Sequence, residues 1–360
     1  MQLMLHILAG IVALATIIPL SKSARWWVRV LDFPRLQFLL LAVIVLMLAS
    51  LFGEGQTRLI VSAVSLACLA YHAYWIYPYS PLAKTEVEPA PSGSQQSSIS
   101  LLTANVLMTN RSATGMIDIV RRERPDVLLT LESDIWWEQQ LSELEEYYPH
   151  TVKCPLDNLY GMHVYSRLPL HGSKIEYLIE DEIPSIHTEI ELSNGKKVRA
   201  HFVHPYPPVP EYSDSSIERD AELVVIAKSL QDCTEPTLVA GDLNDVAWSE
   251  TTKLFRKISG LLDPRVGRGM YNTFNAKHWL LRWPLDHLFH SGHFALKDIR
   301  RLEKFGSDHF AYLTELVYVR EEPAEGSGST ASTADEEFAD TKLEDQEVDV
   351  DDVPFNETEK

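Results

Sequence analysis

Two short polar runs in the second half of the chain carry residue types that can do chemistry. Gly241-Asp242-Leu243-Asn244-Asp245 follows the apolar stretch Thr237-Leu238-Val239-Ala240, and Gly306-Ser307-Asp308-His309-Phe310 lies downstream. Side chains alternate along a strand, so Asp242 and Asn244, two apart where an apolar strand ends, face the same side. Asp308 and His309 add a carboxylate and an imidazole from a second segment. Oxygen donors with an amide and an imidazole suit a site where a hard divalent cation assists phosphoryl transfer. Either run by itself is equally consistent with an ordinary turn.

Four more polar residues stand where apolar runs end. Asn105 closes the run from Ile99, Glu132 closes the run from Val127, His204 closes the run from Val198, and Asp286-His287 opens into Leu288-Phe289. A lone carboxylate after a strand as apolar as Val127-Leu128-Leu129-Thr130-Leu131 is costly unless paired or bound to a cation. Its competing role is a helix cap ahead of Asp134. His201 and His204 fall on opposite faces of one strand, and His204, at the strand's end before Pro205, is the preferred candidate. Asp245 reads as a turn residue, and Arg219-Asp220 as a solvated pair on a helix.

In this order the residues resemble the endonuclease/exonuclease/phosphatase superfamily over roughly Ser98 to Val319. The resemblance implies an α+β fold, a four-layer sandwich with two packed mixed β-sheets flanked by helices. It implies that Glu132, helped by Asn105 and with Asp308 as a further metal-side carboxylate, holds an essential Mg²⁺, with Mn²⁺ as a substitute. It implies that Asp242 and Asn244 position the attacking water and the phosphate. His309 would contact the scissile phosphate, Asp286 would orient His309, and His204 would face the phosphate. The family's Asn usually follows an aromatic residue, whereas Ala104 precedes Asn105 here. The implied activity is Mg²⁺-dependent phosphodiester hydrolysis by in-line water attack, of nuclease type, in a bacterial-type membrane-anchored member. A phospholipid or sugar-phosphate phosphodiesterase or phosphatase is the alternative. A non-catalytic membrane interaction protein is a remote third.

The elements that must position these residues alternate strand and helix. Strands are predicted over 98–108, 126–132, 160–166, 185–192, 196–204, 284–290 and 311–319, and helices over 113–122, 134–148, 215–230 and 249–259. Asn194-Gly195 is a strong hairpin signal. Trp136, Leu141, Leu144 and Tyr148 share a helical face and read as core rather than a binding box. Pro205-Tyr206-Pro207-Pro208-Val209-Pro210 reads as a stiff loop. Arg265, Arg268, Lys277 and Arg282, interspersed with Tyr271, Phe274, Trp279 and Trp283, suit base stacking or lipid headgroups equally.

The amino-terminal fifth reads as membrane. Residues 1–20, 36–52 and 59–79 are three apolar stretches, close to the roughly 20 residues that cross a hydrocarbon core. Trp26, Trp27, Trp75, Tyr77 and Tyr79 sit near their ends, where aromatic belts form. The first stretch lacks the basic leader and small-residue cleavage site of a signal peptide. Lys22, Arg25, Arg29 and Arg35 against Asp32 make the first loop basic, which places that loop and the large domain in the cytoplasm. Residues 81–97 read as a Pro/Ser/Gln-rich linker. The partners expected are the lipid bilayer, through three helices, and a phosphate-ester substrate, either nucleic acid or lipid headgroup.

The formal charge of -19 is unevenly spread. Residues 321–360 carry 15 acidic and 2 basic residues, whereas 99–320 carry 32 acidic and 24 basic. A mildly acidic domain disfavours tight non-specific nucleic-acid binding, which needs many phosphate contacts. The tail lacks apolar periodicity and is expected to be disordered. Cys154 and Cys233 are either two free thiols or one disulfide.

Overall fold

The computed structural model describes residues 1–91, 97–208, 214–323, 328, 330–344 and 346–355. The chain divides into two compact units: Met1–Lys84 with Pro208–Ser216 and Gly267–Gly269, and the remainder from Thr85 onward. Each is described by itself.

In the first unit three helices are long and apolar enough to cross a bilayer: α1 (Gln2–Ile17), α3 (Arg35–Phe52) and α4 (Gly55–Ile76). With their short 3₁₀ extensions they span 20, 18 and 25 residues. They pack on a seam of small and β-branched residues, among them Ala9, Val12, Ala42, Val45, Ala49 and Val61. Between α1 and α3 the one-turn α2 (Trp26–Arg29) leads to Asp32, which pairs with Arg35 and, at 3.6 Å, with Arg29. All three are buried.

The second unit is the expected pair of sheets. The first sheet runs in the order β10-β11-β1-β2-β4-β3, the second β5-β6-β7-β8-β9. Their strands are β1 (Ser98–Asn105), β2 (Val127–Leu131), β3 (His150–Cys154), β4 (Met162–Ser166), β5 (Leu170–Glu176), β6 (Ser185–Glu191), β7 (Lys197–Val203), β8 (Thr237–Asp242), β9 (Asp286–His290), β10 (Phe294–Arg301) and β11 (Tyr312–Tyr318). β1 lies parallel to β2, and β7 to β8; the other pairs are antiparallel. Leu101, Leu129, Val164, Ile186, Phe202 and Leu288 meet between the sheets. The alternate residues Leu102, Leu128 and Tyr165 face α5 (Ala113–Glu123) and α6 (Ile135–Leu141), while Val203, Val239 and Phe289 face α7 (Ile217–Ser229) and α8 (Glu250–Ser259). Strands covered on both faces read as near-continuous apolar runs, and the central β2 (VLLTL) is one, with every residue buried.

Three expectations are corrected. The predicted linker is partly packed: Val87 joins the inter-sheet core, Ala90 N–H donates to the Leu296 carbonyl at 2.7 Å, and Arg256 pairs with Glu86 at 2.5 Å. Its residues 92–96, like 209–210 of the proline loop, lie outside the described residues. The acidic tail is not structureless. Its described part forms α9 (Thr333–Leu343), capped by Ser332 and Asp335 in a reciprocal box, and buries Ala339 and Val353 against α7 and α8. The tail needs no core of its own because it borrows that flank: Lys228 and Lys257 of the flank pair with the tail's Asp340 and Asp335, and the tail's Lys342 pairs with Asp220 of α7. Arg219-Asp220 is a buried pair rather than a solvated one, at 2.9 Å. Cys154 and Cys233 are free thiols.

Candidate active site

Strand parity gathers the site. In β1, Ile99 and Leu101 enter the inter-sheet core, and two steps of two further on Asn105 falls on the same side. The same count aligns His204 with Val198, Ala200 and Phe202, Asp242 with Leu238 and Ala240, and Asp286 with Leu288. The register sets Asp242 opposite Asp286, and Gly241 opposite Val203. Gly241 lies at φ +152°, and a Cβ there would stand 1.8 Å from the Val203 carbonyl oxygen, so only glycine lets β8 close on β7. Polar ends of four strands therefore meet at one edge of the sandwich.

Asn105 ties the two sheets together. Its Nδ2 donates to Glu132 Oε1 at 2.7 Å and to Asp242 Oδ2 at 3.1 Å, while Oδ1 accepts the Leu107 N–H at 3.0 Å. Glu132 sits in the left-handed region at φ +57°, which takes its carboxylate out of the strand's alternation. Ser307 Oγ donates to the Asn105 carbonyl at 2.8 Å and accepts the His309 N–H at 3.0 Å, so it joins the first and last motifs. His309 Nδ1 is 2.8 Å from Asp286 Oδ2, and its Nε2 is 3.5 Å from Asp242 Oδ2. Asn244 donates its N–H to Asp242 Oδ1 and its Nδ2 to the Pro205 carbonyl, both at 3.0 Å.

Electrostatics divide these groups. Burial disfavours a charged His309, but Asp286 and then Asp242 outweigh it and raise its pKa to about 10. Burial likewise opposes ionisation of Asp242, yet His309 and His204 hold it below the usual carboxylate range. Burial pushes Glu132 up to about 7, against the Asn105 hydrogen bond, and lowers His204 to about 4. His204 is thus a neutral imidazole; its Nδ1 is buried without a hydrogen-bond partner among the described residues. Asp308 is partly exposed, and its charge acts on both Glu132 and His309. Every residue named from the sequence for this site is therefore brought to it.

The donor set fits a hard cation. Two buried carboxylates, Asp242 and Asp286, and the partly buried Glu132 share one imidazolium, which leaves excess negative charge in a low-dielectric setting. By proximity alone Asp242, Asp286 and His309 form the group, with ligating atoms within 4.8 Å of one another. His309 is held charged, however, and its Nδ1–H already serves Asp286, so neither ring nitrogen offers a metal a lone pair. Hard oxygen donors nearby are the Glu132 and Asp308 carboxylates, whereas the Asn105 amide oxygen already accepts the Leu107 N–H.

A family model for the endonuclease/exonuclease/phosphatase family matches residues 102–309 of the 360. The chain belongs to this family. As a family member it is a hydrolase acting on phosphate esters, and the acidic cluster is of the kind that can bind a metal. No curated protein matches the chain. Among solved structures it is similar to D. rerio TDP2 complexed with a single-strand DNA product, at 16% identity and TM-score 0.52, covering 61% of this chain and 98% of that one. The human Nocturnin catalytic domain with bound sulfate is 17% identical, TM-score 0.51, with 62% and 95% covered. An endonuclease/exonuclease/phosphatase from Beutenbergia cavernae is 16% identical, TM-score 0.50, with 62% and 72% covered. At these identities the likeness is one of fold.

Of the further residues at this family member's site, Phe274 and Trp283 are read from the sequence only as part of an aromatic-basic stretch, and Thr273 and Tyr160 not at all. Phe274 packs its ring 5.0 Å from that of His309 and also faces Trp283, while Tyr160 stacks on Tyr206 and lies 5.2 Å from the His204 ring. Thr273 Oγ1 accepts the Asp286 N–H at 3.1 Å. The aromatic-basic stretch 265–283 held Phe274 and Thr273 in plain view, but Tyr160 had no local signal. His287 is scaffold: Arg265 can only donate to its Nδ1, so Nε2 carries the proton and donates to the Asp245 carbonyl at 2.9 Å.

Proposed function

We propose that this protein is a membrane-anchored, Mg²⁺-dependent phosphodiesterase of nuclease type. The observation that carries the reading is the Asp286–His309–Asp242 array, which keeps one imidazole charged beside one ionised carboxylate. Asp242 is placed to orient a water and accept its proton as the water oxygen bonds to phosphorus. His309, charged and held by Asp286, donates from Nε2 to a phosphoryl oxygen where negative charge develops as the ester P–O bond breaks. Asn244 and neutral His204 fix the phosphate from the second sheet. Glu132, oriented by Asn105, and Asp308 would hold Mg²⁺, which when bound neutralises charge on the transferring phosphoryl group.

Aromatic pairs on both sides of the site, Tyr160–Tyr206 and Phe274–Trp283, favour a substrate with stackable bases. The three apolar helices favour a second reading, a phospholipid or sugar-phosphate headgroup presented at the bilayer. The test is a panel of single-stranded DNA, duplex DNA, RNA, phosphoinositides and sphingomyelin offered to the full chain in detergent. Turnover of nucleic acid that stops with chelator, returns with Mg²⁺ or Mn²⁺ and is lost in Glu132→Gln is expected. Turnover of the lipids alone would transfer the assignment to the second reading, and full Glu132→Gln activity in excess chelator would sink both.

The basic first loop supports a cytoplasmic catalytic domain, through Lys22 and Arg25 more than through Arg29 and Arg35, which share Asp32. A reporter active only in the cytoplasm, fused at the carboxyl terminus, should give signal. Signal confined to a reporter active only outside the cytoplasm would reverse the orientation.

A further inference from the structure

The acidic carboxyl-terminal segment reaches the catalytic loop through a line of buried charge. Lys342 on α9 places its Nζ 2.7 Å from Asp220 Oδ2. Asp220 Oδ1 accepts from Nε and Nη2 of Arg219, at 3.1 and 2.9 Å. Arg219 Nη1 then donates to the Asn244 carbonyl at 2.9 Å, and Nη2 lies 3.4 Å from Asp245 Oδ2. The Arg219, Asp220 and Asp245 side chains are at most 3% exposed, and that of Lys342 is 10% exposed.

Asn244, at the end of this line, is held through both of its flanking peptide units. It takes φ +50°, the left-handed region that asparagine enters more readily than most residues with a side chain. Its N–H donates to Asp242 Oδ1 and its carbonyl accepts from Arg219. Arg219 is the only one of the two cations that reaches this loop, and Asp220 and Asp245 compete for it. Lys342 adds a cation at Asp220, where the guanidinium also spans Asp245 and the Asn244 carbonyl. Removing a partner from such a cluster leaves an uncompensated buried charge.

We propose that the acidic tail is an integral part of the catalytic unit: Lys342, through Asp220, sets Arg219 as a positioning residue for the Asn244 backbone and so for Asp242. This rests on the reading of Asp242 as the group that handles water. The tail then acts on turnover rather than on substrate attraction, the reverse of what its charge suggests.

The experiment compares Lys342→Met, Lys342→Arg, Arg219→Lys, deletion of residues 324–360 and Asp242→Asn in the full chain, on bis(4-nitrophenyl) phosphate with Mg²⁺. Misplacing a reacting group by about 1 Å costs up to about 100-fold in rate. Lys342→Met and the deletion should lower kcat about 10-fold with KM within about twofold. Lys342→Arg should keep the wild-type value, and Arg219→Lys, which cannot span both Asn244 and Asp245, should not. Amide exchange over residues 241–249 should quicken in Lys342→Met, a readout that needs no activity. Wild-type kcat with unchanged exchange in Lys342→Met and in the deletion would overturn the proposal. An active Asp242→Asn would overturn the reading of Asp242 as the group that handles water instead, and the exchange data would still decide the relay.

Discussion

Two groups of buried charge lie back to back at the end of β8, and they are built by opposite rules. Behind the strand three carboxylates have cations: Asp263 holds Arg265 at 2.8 Å, and Asp220 and Asp245 share Arg219 with Lys342 added. In front, Glu132, Asp242 and Asp286 have one imidazolium among them. The balanced group satisfies itself and needs nothing from outside. The unbalanced group carries charge that its own side chains do not neutralise, which is the condition for binding a cation and for reacting with a phosphate. The difference separates scaffold from site more sharply than burial does, since both are buried.

Breaking each group should therefore have opposite effects on stability. Arg265→Met takes from buried Asp263 its nearest counter-charge and leaves only the more distant Arg256, which costs about 3–5 kcal/mol. Glu132→Gln removes a carboxylate whose ionisation burial already opposes, so the melting temperature should hold or rise while turnover is lost. Thermal melts of both variants in detergent, beside the activity assay, check the contrast. A Glu132→Gln protein as unstable as Arg265→Met would show that the front group is scaffold too.

The same contrast explains what could be read from the sequence. Site residues were legible because each ends a strand whose preceding apolar residues announce it: Val127 to Leu131 before Glu132, Leu238 to Ala240 before Asp242. Three strands were not legible, β3, β5 and β10, and all three lie at sheet edges. An edge strand such as Leu170–Glu176, with one side open, carries no continuous apolar run. The tail was misread for a related reason. Phe338, Ala339, Leu343 and Val353 are too few to make a core, but they are enough to join one that α7 and α8 already provide. Long-range charge pairs such as Lys342–Asp220 have no local signature at all.

Histidine protonation sharpens the comparison with a smaller effect. His309 in the site is held charged, whereas His187 and His201, whose Nδ1 atoms lie 2.8 Å apart on the second sheet, are held neutral. Burial lowers His201 to about 3, with the nearby Arg199 charge adding, and drives His187 well below its ordinary value. Their folded pKa values lie below the unfolded value near 6.5, so the unfolded chain binds the extra protons as pH falls. The stability they contribute is complete above about pH 6.5 and declines below it, by at most about 1.4 kcal/mol per pH unit for each ring. Melting temperature measured from pH 7.5 to 5 should fall below about pH 6.5, and His201→Gln should make that fall shallower. A wild-type protein whose melting temperature stays flat to pH 5 would mean that these rings already have room for a proton, and that neutrality is not what separates the scaffold histidines from His309.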